Sequence, residues 1–247
     1  MEYENMRSIG GTQGIGAPLS PNRTGGDTWI RRIGDRLILD MHEGAGTVVR
    51  DLSGNGNDGE LRGDINLPVW ERNVLSLDGI DDYINVLDSD SLTPSNFLAF
   101  CFYFRSSRVA PSIPISKENE YAVELLPNFP YMWLNDAVPV SYISADDFTP
   151  PTYWDNLWHD WVCLWLGGKE SNSLKMYYDG SERTNLDFGS FGDFDSVKNT
   201  ANDLNIGYYR LAYPAWWRTR VSFVRINMEG MSKPQILWDY LWNKWRN

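Results

Sequence analysis

The sequence is poor in cysteine, in positive charge and in long apolar runs, and each shortage excludes a class of protein. Two cysteines in 247 residues are too few for a disulfide-stabilised scaffold. The longest apolar run, residues 97–104, is far shorter than the roughly 20 residues that a membrane-spanning helix needs, so membrane insertion is not expected. Lys and Arg number 22 against 33 Asp and Glu, and the resulting net charge of -11 repels phosphate backbones. Nucleic acid is therefore not an expected partner.

What the chain does contain is apolar and aromatic material for a large core. Hydrophobic residues make up 42% and aromatic residues 14% of the sequence, which excludes an intrinsically disordered chain. Both cysteines, Cys101 and Cys163, lie inside apolar segments, where a thiol packs as a small hydrophobic group. We expect two buried free thiols, with a disulfide between them as the alternative.

The first 33 residues differ from the rest of the chain. They are rich in glycine and show neither helical nor strand periodicity, so we predict an extended N-terminal arm over residues 1–33. Glu2 and Glu4 stand where a secretory signal peptide would carry positive charge, so Sec-type export is not predicted. The arm is either a plain flexible leader or a strap that becomes ordered against a partner.

Residues 34–231 have the pattern of an all-β sandwich or barrel. Short apolar segments recur, separated by clusters of Gly, Asn, Asp, Ser and Pro. The predicted strands are residues 36–40, 74–77, 83–86, 98–104, 121–125, 138–143, 161–166, 174–178, 204–208 and 220–226. Asp179 and Gly180 follow an apolar segment and are residue types that accept the positive φ of a tight hairpin turn. A second hairpin is expected at residues 167–168.

Residues 232–247 are predicted to form one amphipathic helix. Ser232 and Gln235 have the spacing of a capping box, and an apolar stripe follows at helical spacing. The stripe consists of Trp238, Leu241, Trp242 and Trp245. We expect it to pack on the sandwich, with the groove of a partner protein as the alternative.

Five sequence blocks together resemble a known family. Residues 37–59, which include the run Asp51-Leu-Ser-Gly-Asn-Gly-Asn-Asp-Gly59, resemble the opening of laminin-G-like jelly rolls in the concanavalin A-like lectin/glucanase superfamily. Blocks at residues 77–86, 158–162 and 174–180 follow in the family's order, and the closing pieces at residues 204–207, 221–226 and 231–232 also fit. The resemblance implies a two-sheet antiparallel jelly-roll sandwich. It does not choose a function, because lectins, enzymes and structural modules share this fold.

Members of this family often hold a structural calcium ion, and this chain has acidic and amide side chains that resemble its ligands. They are Asp51, Asn55, Asn57, Asp58, Asp78, Asp81 and Asp82. The chain also departs from the family pattern, with His42 before the Glu-Gly turn and Ser222-Phe223 where an acidic pair is usual. We therefore predict neither a metal site nor a cofactor, and interpret the Asp/Asn loop as turns that satisfy their own backbone.

No catalytic residue is predicted. Related glucanases use two carboxylates on one strand face, and Glu118, Glu120 and Glu124 would share a face if they lay on one strand. The segment has the pattern of an ordinary strand with a solvated acidic face instead. His159 beside Asp160 has no candidate nucleophile and is interpreted as structural.

Sugar binding is the functional candidate that the aromatic content favours. Twelve Trp and thirteen Tyr exceed what one core readily buries, and aromatic rings stack on the apolar faces of sugars. The predicted ligand-binding residues are Tyr209, Tyr213, Trp216 and Trp217, in a loop that also contains Tyr208 and has Arg210 and Arg218 alongside. A second cluster contains Tyr153, Trp154 and Trp158. The alternative is that these rings cover the arm, the helix or another subunit, since Tyr, Trp and Arg are enriched at protein interfaces.

A virion protein reconciles a usually extracellular fold with the absence of a predicted export signal. Phage structural proteins often carry such modules, as the resemblance implies. We therefore expect a non-catalytic protein on the virion surface, as a capsid decoration, spike or tail component. Its arm would bind other virion proteins, its jelly roll is a candidate for glycan binding, and a homo-oligomer is an alternative arrangement. The rival hypothesis is a free extracellular carbohydrate-binding lectin module, and a glycoside hydrolase is the third.

Overall fold

The computed structural model describes residues 32–107, 111–127, 129–136, 141–147, 149, 152–209 and 215–246. The chain divides into two units, residues 1–30 and 31–247, and the described residues all belong to the second unit. Their regular elements are one α-helix, α1 (Lys233–Arg246), two short 3-10 helices (Asp90–Leu92 and Ser171–Ser173), and strands that are numbered in chain order. The strands are β1 (Asp35–Asp40), β2 (Val48–Val49), β3 (Gly59–Arg62), β4 (Val69–Glu71), β5 (Val74–Asp78), β6 (Tyr83–Val86), β7 (Leu98–Arg105), β8 (Ser112–Lys117), β9 (Tyr121–Leu125), β10 (Pro130–Asn135), β11 (Tyr142–Asp147), β12 (Trp158–Trp165), β13 (Leu174–Tyr178), β14 (Ser181–Glu182), β15 (Leu186–Phe191), β16 (Leu204–Ile206), β17 (Tyr208–Tyr209), β18 (Ala215–Trp216) and β19 (Arg218–Asn227).

The strands form two large antiparallel sheets. Sheet A has the order β14-β13-β12-β7-β19-β5-β4, and β1 pairs with the end of β19 that β5 leaves free. Sheet B has the order β15-β11-β10-β9-β8-β16-β6-β3-β2, and β17 and β18 form a separate two-stranded ladder. This architecture confirms the predicted all-β, two-sheet antiparallel sandwich with a C-terminal helix. The predicted N-terminal arm lies outside the described residues, apart from residues 32 and 33.

The core lies between the two sheets. Side chains alternate along β7, so that Phe100, Phe102 and Phe104 face sheet B and are 1% exposed or less. The Phe100 ring contacts the Tyr121 ring of sheet B, with 5.2 Å between the centroids. Burial of such large apolar side chains supplies most of the free energy that holds the sheets together.

The two predicted hairpin turns are present. Asp179 and Gly180 have φ values of 47° and 75° and connect β13 to β14. A Cβ atom on Gly180 would lie 3.0 Å from a methyl group of Leu237, so this turn also admits the close approach of α1. Gly167, with φ of 80°, lies in the turn between β12 and β13, which pair antiparallel.

Both cysteines are buried and free, as expected. They lie on the neighbouring strands β7 and β12 but on opposite faces of sheet A. Cys101 is the register partner of Val162, whereas Cys163 is the register partner of Phe100 and belongs to the core. A disulfide between them would need both side chains on one face, so the alternative is wrong.

Helix α1 begins where the capping box predicts. The backbone N–H of Ser232 donates to Oε1 of Gln235, at 2.7 Å, and the helix starts at the next residue. Proline at the second helical position fits, because its missing N–H would have no intrahelical acceptor. Among the described residues, no helix is both long and apolar enough to cross a bilayer.

The predicted packing face of α1 is wrong. The helix contacts the sandwich through Ile236, Asp239 and Asn243, which are 0%, 7% and 1% exposed. Of the apolar stripe, Trp238, Leu241 and Trp245 point away and are 48%, 39% and 87% exposed, whereas Trp242 is half-buried. A polar face therefore lies on the sandwich and an apolar face lies on the surface.

Ion pairs explain this orientation. Arg225 of β19 faces outward from sheet A beneath the helix and is only 2% exposed. Its Nη1 lies 2.5 Å from Oδ2 of Asp239, and Nη1 and Nη2 of Arg32 lie 2.6 and 2.7 Å from the two Asp239 oxygens. Asp35 lies on the other side of Arg225, with 3.5 Å between Oδ1 and Nε. The free-energy cost of burying a guanidinium group without carboxylates is far larger than the cost of exposing tryptophans. The pairing of Asp239 with Arg225 therefore sets the rotation of the helix about its own axis.

Candidate functional site

The outer face of sheet A carries an arginine-rich surface at the end that α1 does not cover. It follows from strand alternation: Leu75 and Leu77 of β5 belong to the core, so Ser76 and Asp78 face outward. Arg105, at the end of β7, follows the core residue Phe104 and faces outward in the same way. The register of the three strands then decides which outward side chains become neighbours.

Three arginines meet there. Arg220 is the register partner of Arg105 on β7 and of Ser76 on β5. Arg218 stands two residues before Arg220 and opposite Asp78. Because the side-chain period of a strand is two, Arg218 and Arg220 lie on one face.

These side chains line a cleft of about 600 Å³. The lining consists of Arg105, Arg218, Arg220, Ser76, Ser106, Ser107, Thr219, Asn156, Asp78, Leu77 and Ile80. Asp78 is the one acidic residue in this set, so three cationic groups face one carboxylate. The cleft is locally positive in a chain whose net charge is -11.

The arginines differ in how far their charge is compensated. Arg220 makes a two-point contact with Glu71, with Nε and Nη2 lying 2.6 and 3.2 Å from the carboxylate oxygens. This hydrogen bonding lowers the pKa of Glu71. Nε of Arg105 donates to the neutral Oδ1 of Asn156 at 3.0 Å. Arg218 makes no ion pair within the described part of the chain.

Local bonds hold the cleft in shape. The hydroxyl of Ser106 donates to the carbonyl of Arg218 at 2.7 Å, and the hydroxyl of Thr219 donates to the carbonyl of Arg105 at 3.1 Å. Asn156 has a φ of 65°, a conformation that Asn accepts more readily than most residues, and its N–H donates to the carbonyl of Ser106. The strands that carry Arg105 and Arg218 are therefore tied to each other.

An aromatic ring lies beside the cleft. Trp158 is the register partner of Arg105 across β12 and β7 and is half-buried. Its ring stacks on Tyr103, with 5.2 Å between centroids and 9° between planes. Such a supported ring offers a flat apolar surface next to hydrogen-bond donors.

The predicted sugar-binding residue Trp217 is a core residue, and this prediction is wrong. Trp217 is 0% exposed, and its ring contacts Phe102 and Phe104 with centroids 6.2 and 5.1 Å apart. Of the other three residues, Tyr209 and Trp216 lie on the paired strands β17 and β18. The side chains of Tyr209 and Trp216, and the whole of Tyr213, lie outside the described structure.

The second aromatic cluster is divided between the core and the surface. Tyr153 is 1% exposed and its hydroxyl donates to the carbonyl of Leu126, whereas Trp154 and Trp158 are half-buried. Of this cluster, Trp158 is the ring beside the cleft. The cleft itself was missed, although alternating arginines at 218 and 220 are visible in the sequence, because Arg105 joins them only through strand register.

The Asp/Asn loop satisfies its own backbone, as interpreted. The Asp51 carboxylate accepts hydrogen bonds from the N–H groups of Ile38, Ser53 and Asn57, at 2.8–3.0 Å. The Ser53 hydroxyl donates to it as well, at 2.7 Å. No oxygen of Asp51 is left for calcium.

Among the described residues, carboxylates lie close enough together to hold a metal ion in the turn after β5. Ligand oxygens of Asp78, Asp81 and Asp82 lie within 4.8 Å of one another. Oδ1 of Asp82 is buried and has no hydrogen-bond partner in the described structure. Burial, and after it the charges of Asp78 and Asp81, raises the pKa of Asp82 to about 6. These three residues are the ones that would hold a calcium ion, which would neutralise the turn.

The three glutamates of the catalytic alternative do not share a strand face. Glu118 and Glu120 lie in the turn between β8 and β9, and Glu124 lies on β9. Glu120 is buried against Lys117 and accepts a hydrogen bond from the Thr200 hydroxyl at 2.7 Å. The expectation of one solvated acidic strand is wrong, and this carboxylate has a structural partner.

His159 is held by acidic neighbours on both ring nitrogens. Nδ1 lies 3.1 Å from Asp179 and Nε2 lies 3.0 Å from Asp155. Burial lowers the pKa of His159, but the two carboxylates outweigh it and raise the pKa above 6.5. Both nitrogens are therefore occupied within the fold, in agreement with the structural interpretation.

The described residues form an all-β, two-sheet antiparallel sandwich with a cationic, polar cleft on the outer face of one sheet. No protein-family model matches the chain, and no curated protein matches it by sequence.

Solved structures do resemble it. The receptor binding domain of botulinum neurotoxin C/D mosaic serotype matches with a TM-score of 0.61 at 16% identity. The botulinum neurotoxin serotype D ligand binding domain in complex with N-acetylneuraminic acid matches with a TM-score of 0.61 at 17% identity. The match covers 87% of this chain and 52% of the other chain in both cases.

A third such structure is the binding domain of Paraclostridial Mosquitocidal Protein 1, with a TM-score of 0.59, 12% identity, and coverage of 84% and 52%. This chain thus spans about half the length of the structures it matches. At these identities the likeness establishes the fold.

Proposed function

We propose that this chain is a non-catalytic carbohydrate-binding protein and that the cleft on the outer face of sheet A is its sugar site. The observation that carries the proposal is the lining of the cleft, where guanidinium, amide and hydroxyl groups surround an open volume beside the half-buried ring of Trp158. Sugars are bound by such combinations of hydrogen bonds and ring stacking.

The structural neighbours support a binding role. They are receptor-binding and ligand-binding domains, one of them in complex with N-acetylneuraminic acid, and they include botulinum neurotoxin type C, whose cell entry is dependent upon interaction with two ganglioside molecules. A hydrolase is disfavoured by the positions of Glu118 and Glu120 in a turn, away from the strand face that a paired-carboxylate mechanism needs.

A glycan panel with the full-length chain tests the proposal. Ser107→Trp fills the cleft from an exposed loop position, and Ser181→Trp makes the same change at an exposed position on β14, outside the lining. We expect the wild type and Ser181→Trp to bind the same glycans, and Ser107→Trp to lose at least about tenfold in affinity. Binding of no glycan, or equal binding by Ser107→Trp, would overturn the proposal.

The setting that we propose is the surface of a virus particle, with residues 1–33 binding other virion proteins. Support comes from the sequence, namely the glycine-rich composition of this segment and the resemblance to modules of phage structural proteins. A free extracellular lectin module is the rival setting.

A truncation separates the two settings. Deletion of residues 1–31 keeps Arg32, which pairs with Asp239, and so retains the contacts described for α1. Under the virion hypothesis the truncated chain folds, by circular dichroism, but no longer sediments with particles in a sucrose gradient. Equal sedimentation of the truncated and full-length chains would contradict the anchoring role.

A further inference from the structure

The charges of the cleft identify the class of sugar that it would bind. This inference rests on the proposed function and adds to it the chemistry of the ligand. Three arginines lie on one face of two paired strands, in a protein with an excess of acidic residues. Like charges placed directly opposite each other on a sheet are destabilising, so the arrangement needs compensation.

One of the three charges has an ion-pair partner within the protein. Glu71 binds Arg220 through both carboxylate oxygens, whereas the charge of Arg105 acts on the same carboxylate only at longer range, without an ion pair. Arg105 is bonded to a neutral amide, and that bond uses Nε alone, so its two terminal nitrogens remain outside the bonds to described side chains. Arg218 is exposed and without an ion pair in the described structure. Two guanidinium groups in the cleft are therefore not paired with a carboxylate of the described residues.

The carboxylate of the lining does not cancel them. Asp78 is the register partner of Arg218, yet its Oδ1 accepts hydrogen bonds from the N–H groups of Ile80 and Asp81, at 2.7 and 3.3 Å. Its side chain is thus turned into its own loop and makes no ion pair with Arg218. This leaves room for an anion from outside.

The backbones of Arg105 and Arg218, and the guanidinium group of Arg105, are held in place before any ligand arrives. Ser106 and Thr219 tie the two backbones by reciprocal side-chain bonds, and Asn156 accepts a hydrogen bond from Nε of Arg105. The Arg105 guanidinium group therefore loses little entropy on binding, the Arg218 side chain extends from a fixed backbone, and both groups have the planar geometry that matches a carboxylate. Ser107, Asn156 and the ring of Trp158 remain for the hydroxyl groups and the apolar face of the same sugar.

We propose that the cleft binds an acidic sugar, whose carboxylate is held by Arg105 and Arg218. Neutral sugars of the same size bind more weakly, because they leave both guanidinium groups uncompensated.

Two matched pairs of ligands test this on the full-length chain by isothermal titration calorimetry, with ligand-observed NMR for weak binding. Methyl glucuronide has a carboxylate where methyl glucoside has a hydroxymethyl group. 3′-Sialyllactose has one acidic monosaccharide more than lactose. In at least one pair the acidic member should bind about tenfold or more tightly, the equivalent of one charge-assisted contact. Glucose 6-sulfate serves as a third arm, which separates carboxylate recognition from general anion binding.

Substitutions test whether Arg218 is responsible for the stronger binding of the acidic sugar. Arg218→Gln should lower affinity for the acidic sugar about tenfold and leave affinity for the neutral partner unchanged, whereas Arg218→Lys should lie between. Arg62→Gln is the matched control, since Arg62 is exposed on β3, outside the cleft, and its guanidinium group pairs with Glu60. Both variants remove one positive charge, so a difference between them is local.

The outcomes distinguish this inference from the proposed function. Equal affinity within both pairs, or an Arg218→Gln variant that binds acidic sugar like the wild type, would overturn the carboxylate assignment while sugar binding at the cleft stands. Stronger binding of the sulfate than of either carboxylate would overturn it too. If the glycan panel and both pairs show no binding, the inference and the proposed function fail together.

Discussion

The outer face of sheet A has two ends that use arginine in opposite ways. At the end under α1, Arg225 is buried and meets the carboxylates of Asp239 and Asp35. At the open end, the same strand β19 presents Arg218 to solvent without an ion pair in the described structure. The residue type and the strand are identical, so the difference lies in what the tertiary structure brings opposite each side chain. One end is a closed structural network, and the other is suited to a ligand.

The largest effect is expected from Arg225→Ala. It leaves the carboxylates of Asp239 and Asp35 buried with fewer cationic partners, which should lower the free energy of unfolding by about 3–5 kcal/mol. Arg218→Ala makes the same change at the open end and should cost no more than about 0.5 kcal/mol. Urea denaturation followed by tryptophan fluorescence measures both. Equal losses in the free energy of unfolding would show that the two ends of the sheet do not differ in this way.

A second comparison tests the orientation of α1. Ile236→Ala removes a fully buried side chain at the contact with the sandwich and should destabilise the protein by about 2 kcal/mol or more. Trp245→Ala removes a larger side chain that is 87% exposed, and a change within about 0.5 kcal/mol is expected. If the tryptophan substitution is the more damaging one, the apolar face packs on the protein in solution and the orientation described here is wrong.

A third test concerns Asp82, a buried carboxylate that makes no ion pair in the described structure, in contrast to Asp239, which pairs with Arg225. The pKa of Asp82 is raised from 3.8 to about 6, so the folded state holds its proton more tightly than the unfolded chain does. The contribution of this group to stability is therefore present below pH 4 and is lost as the pH rises through 6.

The substitution Asp82→Asn should abolish this dependence. At pH 7 the variant should be more stable than the wild type, by at most about 3 kcal/mol, and the two should converge near pH 4. Thermal unfolding between pH 4 and 7.5 in the presence of EDTA measures it. Parallel pH profiles of the two proteins would show that Asp82 does not titrate as described.

Much of the fold was predictable because its signals are local. Strands β6, β9 and β13 lie where the apolar segments predict them, and the Asp179-Gly180 turn needs only residues that accept positive φ. The strands that were not predicted carry weaker local signals. For example, β10 begins with a proline and β15 is largely exposed and contains a glycine, so each is held by its neighbours in sheet B.

The site was less predictable because its members come from separate strands. Aromatic content favoured the segment around Trp217, but strand alternation turns that ring into the core and turns Arg218 outward. Arg105 is 113 residues away in the sequence and becomes a neighbour only through the pairing of β7 with β19.

By itself the sequence determined the class of fold, the positions of the main strands and the start of the C-terminal helix, because hydrophobic periodicity, turn residues and caps act over a few residues. Only the tertiary structure decided which face of α1 is buried and which arginines stand together. Those outcomes depend on ion pairs and strand register between distant segments, where the cost of an uncompensated buried charge exceeds the gain from covering an apolar stripe.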